Sequence, residues 1–414
     1  MRTLLCIALA FCINSQLSSA QVVRQQQVTQ ISPIELVQTN YGVTGYDAAS
    51  GIGGCFWPRG SNQQFAFGAG LWIGGQVEDS SGTLHKAVFT TFDPNSGKSA
   101  ATPLSDLAVS VTGDVEVMTS LFTDTVLSAY DYPADQLASR YPMGLEVRQE
   151  LTTQRTGPYK DVAILSTSIR NIHPTRTIHG MVVDLMIDPD VGPRDNYVLA
   201  SREDRMEIVD EPDDLGIVLF STQPHNGVTY GRFGVALVNT PDHRSAATII
   251  HHPIELDPST SDERYALIAS GAHQVYSGVG DVRAHVASEA YTLAPGQQLS
   301  FHFLLIFSMD EDSIAIPWMI DVVKNFRTAT SVAENAESDR LRLYPNPVNA
   351  DGVVRLLAEH MPQSVELVDA MGRVVRTFEH DCSAIDVKGL PTGMYAVRAT
   401  DGARCERALL SIVK

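Results

Sequence analysis

Residues 161–188 read DVAILSTSIRNIHPTRTIHGMVVDLMID. In 161–172 apolar and polar side chains alternate, which is the period of a half-buried β-strand. The stretch HPTRT (173–177) then supplies turn chemistry, and 178–188 returns with β-branched and apolar residues, so the two runs predict a hairpin. Working outward, GIVLFST (216–222), FGVALVNT (233–240), AATIIHHPIEL (246–256) and LSFHFLLIFS (299–308) have the same character, separated by clusters of Gly, Pro, Asn and Asp. Many short strands without alternating helices predict a mainly β chain, with a large β-sandwich body in one or two subdomains over 21–328.

One helix is predicted, over 317–328. Trp318, Met319, Val322, Val323 and Phe326 share a helical stripe, Pro317 suits a first turn, and Asp312 or Ser313 is available as the cap. The small polar run 329–340, ATSVAENAESDR, reads as a linker to a second domain, 341–414.

The chain has 414 residues, with 48 acidic and 30 basic side chains and a net charge of −18. That balance argues against nucleic acid or an anionic membrane as partner, since both demand a basic face. The first twenty residues, MRTLLCIALAFCINSQLSSA, place Arg2 before an apolar run and end in small residues. They predict a signal peptide cleaved after Ala20, and the run is too short to span a bilayer. No later run has the length and apolarity of a transmembrane helix. Lipid attachment at Cys12 fits poorly because bulky Phe11 precedes it. Export permits disulfides, and Cys382 and Cys405 are close enough in the chain to pair, adding about 3 kcal/mol by closing a short loop. Cys55 then reads as a buried thiol.

The second domain opens with LRLYPNPVNADG (341–352). Pro345 and Pro347 fix their own φ and push Tyr344 and Asn346 into extended geometry, which predicts a stiff segment along a sheet edge. Turns follow at Asp369–Gly372 and Leu390–Gly393. Together, YPNPV, VELVDAMGRVV, IDVKGLPTGMYAVRA and a last strand ending at Lys414 resemble the type A C-terminal sorting domain of the type IX secretion system. The residues that carry the resemblance are Tyr344, Pro345, Asn346, Pro347, Gly372, Arg373, Leu390, Pro391, Gly393, Tyr395 and Lys414. It implies a small immunoglobulin-like β-sandwich read by an outer-membrane translocon after passage through the periplasm. It also implies a sorting protease that removes the domain, and a cargo either released or attached to surface lipopolysaccharide.

Chemistry in the body is harder to read. NSGKSA (95–100) lacks the first glycine of a phosphate loop and reads as a β-turn, and neither a nucleophile elbow nor a zinc helix of the H-E-x-x-H kind is present. His251 and His252 are neighbours in a predicted strand, so they point to opposite faces and read as a surface pair. The run VDLMIDPDVGPRDNY with the following SRED gathers Asp184, Asp188, Asp190, Asp195 and Asp204 about a Gly-Pro turn. Such an oxygen-rich turn suits Ca²⁺, with Asp188, Asp190 and Asp195 as its ligands, although Gly192 stands where an EF-hand would carry a ligand. The competing reading is a solvated acidic turn, with no cofactor at all.

Trp57, Phe65, Phe67 and Trp72 lie among glycines in 55–76 and read as core. The body loosely resembles uncharacterised exported proteins that carry the same sorting domain, a group with no activity to transfer. Two functions therefore compete: a non-enzymatic structural or ligand-binding protein of the cell surface or medium, and an extracellular hydrolase acting on polysaccharide. A cleft with two carboxylates beside Trp57 or Trp72 would favour the second.

Overall fold

A computed structural model describes residues 22–413 except 126–140, 203, 210–215, 223–229, 243, 335–340, 345, 347, 351, 359–361, 370–372, 380–381 and 401–404. The predicted signal peptide, the second half of the predicted linker, and Pro345, Pro347, Gly372 and Lys414 lie outside the described residues. The principal strands of the body are β1 (Gln63–Glu78), β2 (Leu84–Thr90), β3 (Val115–Thr123), β4 (Leu145–Gln154), β5 (Val162–Asn171), β6 (Ile178–Pro193), β7 (Asp204–Val209), β8 (Ile217–Thr222), β9 (Arg232–Asn239), β10 (Thr248–Pro253), β11 (Val282–Ala287) and β12 (Gln298–Ser308). Two helices matter here, α1 (Ser261–Ile268) and α2 (Asp312–Glu334).

The strands form two antiparallel sheets. One runs β2-β1-β6-β11-β10 through its centre, and the other runs β3-β4-β5-β12-β9-β8-β7. Alternation decides what each face does. Leu71, Ile73, Leu185, Ile187 and Val286 of the first sheet share one core with Leu165, Val235, Phe303 and Leu305 of the second. On the opposite face of the second sheet, Ile164, Ala236, Leu304 and Ile306 pack under Met319, Val322 and Val323 of α2. On the opposite face of the first sheet lies α1: a Cβ at Gly74 would stand 2.9 Å from both Ile268 and Tyr265. The body is thus a β-sandwich with a helix on each outer face.

The predicted hairpin does not form. β5 pairs with β4 and β12, while β6 pairs with β1 and β11 in the other sheet, so the HPTRT stretch carries the chain across the sandwich. Each strand buries one face in the shared core, and local alternation is the same whether two runs pair with each other or face each other. β6 also continues through the predicted Gly-Pro turn to Pro193. Register shifts at Asp188/Pro189 and Pro189/Gly192 accommodate prolines that cannot donate to the ladder.

Helix α2 begins at Asp312 and continues to Glu334, so Pro317 lies inside it and the first part of the predicted linker is helical. α1 is not predicted from the pattern because Ser261–Ile268 is short and its polar and apolar residues fall in two blocks rather than along a stripe. Its signal was the capping box Thr260-x-x-Glu263: the Thr260 hydroxyl accepts from the Glu263 N–H, and the Glu263 carboxylate accepts from the Thr260 N–H.

The C-terminal segment has a separate core. A three-stranded sheet (Leu341–Tyr344, Val353–Ala358, Ala384–Asp386) packs on a five-stranded one that includes Ser364–Val368, Gly393–Thr400 and Cys405–Val413, through Val354, Leu356, Ile385, Leu367, Val397 and Leu410. Cys382 is buried there and its Sγ donates to the Phe378 carbonyl at 3.6 Å. The side chain of Cys405 lies outside the described residues, so its pairing with Cys382 stays an expectation. Cys55 is buried in the body.

Glycine lets the segment after β2 cross β1 closely. A Cβ at Gly70 would sit 2.4 Å from Phe92 Cβ and 2.8 Å from Thr91 Oγ1, and that hydroxyl already accepts from the Leu71 N–H and donates to the Gly42 carbonyl. Gly70→Ala should therefore destabilise the body by about 1–3 kcal/mol. Urea unfolding against the wild type measures it.

Candidate functional site

The face of the first sheet under α1 is unusual in its polarity. Trp72 on β1, Asp184, Met186 and Asp188 on β6, and Arg283 and His285 on β11 all point to it, and all six are buried. Asp184 Oδ2 lies 2.6 Å from His285 Nδ1, with neither side chain more than 1% exposed. The Arg283 guanidinium donates from Nη1 to Asp188 at 2.7 Å and to Asp281 at 2.8 Å, and its Nε stands 3.8 Å from Asp257. Asp184 and Asp188 stand four residues apart on β6, and Arg283 and His285 two apart on β11, so all four share one face of the sheet because β-strand side chains repeat every second residue.

Above them opens a cleft of about 260 Å³. Its floor is Trp72, Met186, Arg283 and His285, and its walls are the turn Asp93–Asn95, the segment Asp257–Ser259 and Arg264 of α1. Trp72 is fixed on three sides. Its Nε1 donates to the Phe92 carbonyl at 3.1 Å, the His285 ring meets it edge-on at 4.9 Å, and the Arg264 guanidinium lies 5.5 Å from its ring. Asn95 donates to Asp257 at 2.8 Å, joining the two walls.

His251 and His252 do point to opposite faces, but both are buried, contrary to the surface pair expected. β10 is covered on both sides, and His252 stacks on His285 at 5.5 Å and 13°. Burial pushes His251 down to about 4 and lowers His252, which His285 lowers further. Burial raises Asp184, with His285 opposing it. None of these pairings was legible in the sequence, because Asp184 and His285 are far apart in the chain and no motif spacing joins them.

The five aspartates of the predicted acidic turn are split. Asp184 belongs to His285 and Asp188 to Arg283. Asp190 accepts from the Gln64 amide at 3.1 Å, and Asp204 accepts from the Val191 N–H at 2.9 Å. Asp195 is exposed and exchanges hydrogen bonds with Asn62. Of the expected calcium set, Asp188 and Asp190 are close enough for their charges to interact, while Asp195 stands on the exposed loop with Asn62. Among the described residues, no group of three or more His, Cys, Asp or Glu is arranged to hold a metal ion. The solvated-turn reading also needs correction, since Asp188, Asp190 and Asp204 are buried. Trp57 is core, stacked on Phe307 with its Nε1 donating to Asp161 at 2.9 Å.

In the tail, Asn346, Arg373 and Leu390–Gly393 sit at turns and strand ends, while Tyr395 is buried in the central strand of the five-stranded sheet. Asn346 is exposed and its side-chain oxygen accepts from the Ser411 N–H. Arg373 donates from its backbone and guanidinium to Asp369, closing the hairpin there. The Tyr395 hydroxyl donates to the Pro391 carbonyl at 2.8 Å, which ties the Leu390–Gly393 turn to the strand that follows it.

Residues 342–410 match the family described as the secretion system C-terminal sorting domain. The chain thus carries a type IX sorting tail and is an exported protein, secreted or at the cell surface. Among the described residues no helix is long and apolar enough to cross a membrane. A search of the curated proteins finds no match. Among solved structures, a polysaccharide lyase is similar at 8% identity and a TM-score of 0.29, over 96% of this chain and 47% of that one. A galactose mutarotase related enzyme from Lactobacillus acidophilus is similar at 9% identity and a TM-score of 0.31, over 70% and 99%. Heparinase III is similar at 8% identity and a TM-score of 0.27, over 77% and 28%. This chain spans less than half the length of the lyase.

The buried carboxyls make a pH prediction. Burial raises Asp190 and Asp204 well above the ordinary 3.8; the charges of Asp188 and then Asp281 add to it at Asp190, and Asp190 chiefly at Asp204. A carboxyl raised on folding holds its proton more tightly in the native state, so stability falls as pH climbs from the ordinary value through the raised one. The melting temperature should be lower at about pH 8 than at about pH 5. Asp204→Asn keeps the acceptor for Val191 and replaces the unpartnered Oδ2 with a donor. It should flatten the pH dependence and melt above the wild type at about pH 8.

Proposed function

We propose that the body is an extracellular ligand-binding β-sandwich and that the cleft over Trp72 and His285 holds a single saccharide unit. The cleft carries this reading. At about 260 Å³ it falls just below the roughly 300–1,000 Å³ of drug-sized sites, which suits one sugar ring rather than a chain of them. Its lining supports the same class. Asp93, Asn95, Asp257, Ser259 and Arg264 offer acceptors and donors of both kinds, while Trp72, Pro94, Met186 and Pro258 offer apolar surface for the C–H faces of a ring. Cations and carboxylates are balanced around it, which favours a neutral ligand over an ion.

Calorimetry of the full chain against a panel of neutral monosaccharides tests the reading. One or more should bind, and Trp72→Ala should weaken that binding at least tenfold. Failure of every monosaccharide to bind would overturn it.

On the export side, the same proposal includes a signal peptide cut between Ala20 and Gln21, and removal of the tail with release or attachment to lipopolysaccharide. Intact mass of the exported form should show a new N-terminus at Gln21 and loss of the sorting domain. Deleting 341–414 should leave the protein in the periplasm, detected by cell fractionation, because the translocon then has nothing to read.

A further inference from the structure

The Asp184–His285 pair lies at the bottom of the cleft, and binding of a saccharide alone does not require it. Taking a carboxylate out of water is costly even when an imidazole N–H offsets part of the loss, so such a pair is weak evidence of stabilisation. Its geometry pairs one ring nitrogen and leaves the other. With Asp184 as the acceptor at 2.6 Å, the neutral imidazole carries its proton on Nδ1 and its lone pair on Nε2. Nε2 of His285 has no hydrogen-bond partner among the described residues. Unlike Nε2 of His252, it is not sealed from the cleft that the ring borders. Trp72 at its edge and His252 against its face hold the ring in one orientation.

The other bases of the cleft are occupied. Asp257 accepts from Asn95 and faces Arg283, and Asp93 accepts from the Ser96 hydroxyl within its own turn. Cleaving a glycosidic bond needs a carboxylic acid and a second carboxylate on either side of it, whereas ester hydrolysis needs one base and a water. One oriented imidazole with an open lone pair matches the second requirement.

We propose that His285 is a general base that hydrolyses acyl esters carried by the bound saccharide, with Asp184 as its positioning residue. This rests on the saccharide reading of the cleft. His285 Nε2 takes a proton from water while the water oxygen bonds to the acyl carbon and the carbonyl π pair moves onto oxygen. Arg264 on the cleft wall supplies positive charge for that oxyanion. The adduct collapses, the bond from acyl carbon to sugar oxygen breaks, and the leaving oxygen takes the proton back from Nε2. A free acid and an alcohol result, with water as the only co-reactant.

The test uses the full chain with mono-O-acetylated glucose, reading acetate release and, separately, binding by calorimetry. The wild type should release acetate above buffer. His285→Gln should be at least ~100-fold slower in kcat while still binding the sugar. Asp184→Asn should lower kcat with KM little changed and move the pH profile, since the ring loses the partner that holds its tautomer. Melting curves show whether each variant is folded; should His285→Gln fail to fold, the kcat and pH profile of Asp184→Asn decide. A wild type that binds the acetylated sugar without releasing acetate overturns the esterase proposal and leaves the ligand reading standing. Folded variants as active as the wild type also overturn it. A wild type that binds no sugar overturns both.

Discussion

The long antiparallel pairing of β1 with β6 is the contact on which the rest of the body depends. Each strand has sixteen residues, and their ladder runs from His179 opposite Gln76 to Pro193 opposite Gln63. One face of this ribbon supplies the middle of the shared core, and the other supplies the floor of the cleft. β1 can serve both because its glycines admit neighbours that a side chain would exclude: Phe92 over Gly68 and Gly70, and α1 over Gly74. Close approach of those elements brings Asp93–Asn95 and Arg264 to the rim of the cleft.

Polar burial follows from the same geometry. Once α1 covers the outer face, Asp184, Asp188, Arg283 and His285 lose water together, and they answer by pairing across β6 and β11. Burial pushes the carboxyls of Asp190 and Asp204 upward, and the charges of neighbouring carboxylates add to it. An outer sheet face that needed only stability would be better covered with apolar residues. The retention of a buried ion pair and a buried Asp–His hydrogen bond beneath an open cleft is the physical motive for assigning function to this face.

Export is written in a different manner. The tail builds a separate small core from alternating residues of two sheets, and its turns are tied by local contacts such as Tyr395 to Pro391 and Arg373 to Asp369. Signals of this kind survive in a linear reading because their residues are close in the chain. The family match over 342–410 falls on the segment whose prolines, Gly-Arg turn and Pro-Thr-Gly turn first marked it.

The amino-acid sequence by itself determined the mainly β character, the position of most body strands, the buried state of Cys55 and Trp57, and the sorting tail. Each follows from period-two alternation, residue type or short-range motif, which act over a few residues. It did not determine which strands pair. The alternation in 161–172 and 178–188 is as compatible with a hairpin as with two facing sheets, and only the tertiary structure placed β5 and β6 in different sheets. Nor did it separate the aspartates of 184–204, since one carboxylate looks like another until its partner is known. His285, Arg283, Gln64 and Asn62 come from other strands and loops, and they alone turned an apparent acidic turn into a buried dyad, a buried ion pair and an exposed loop contact.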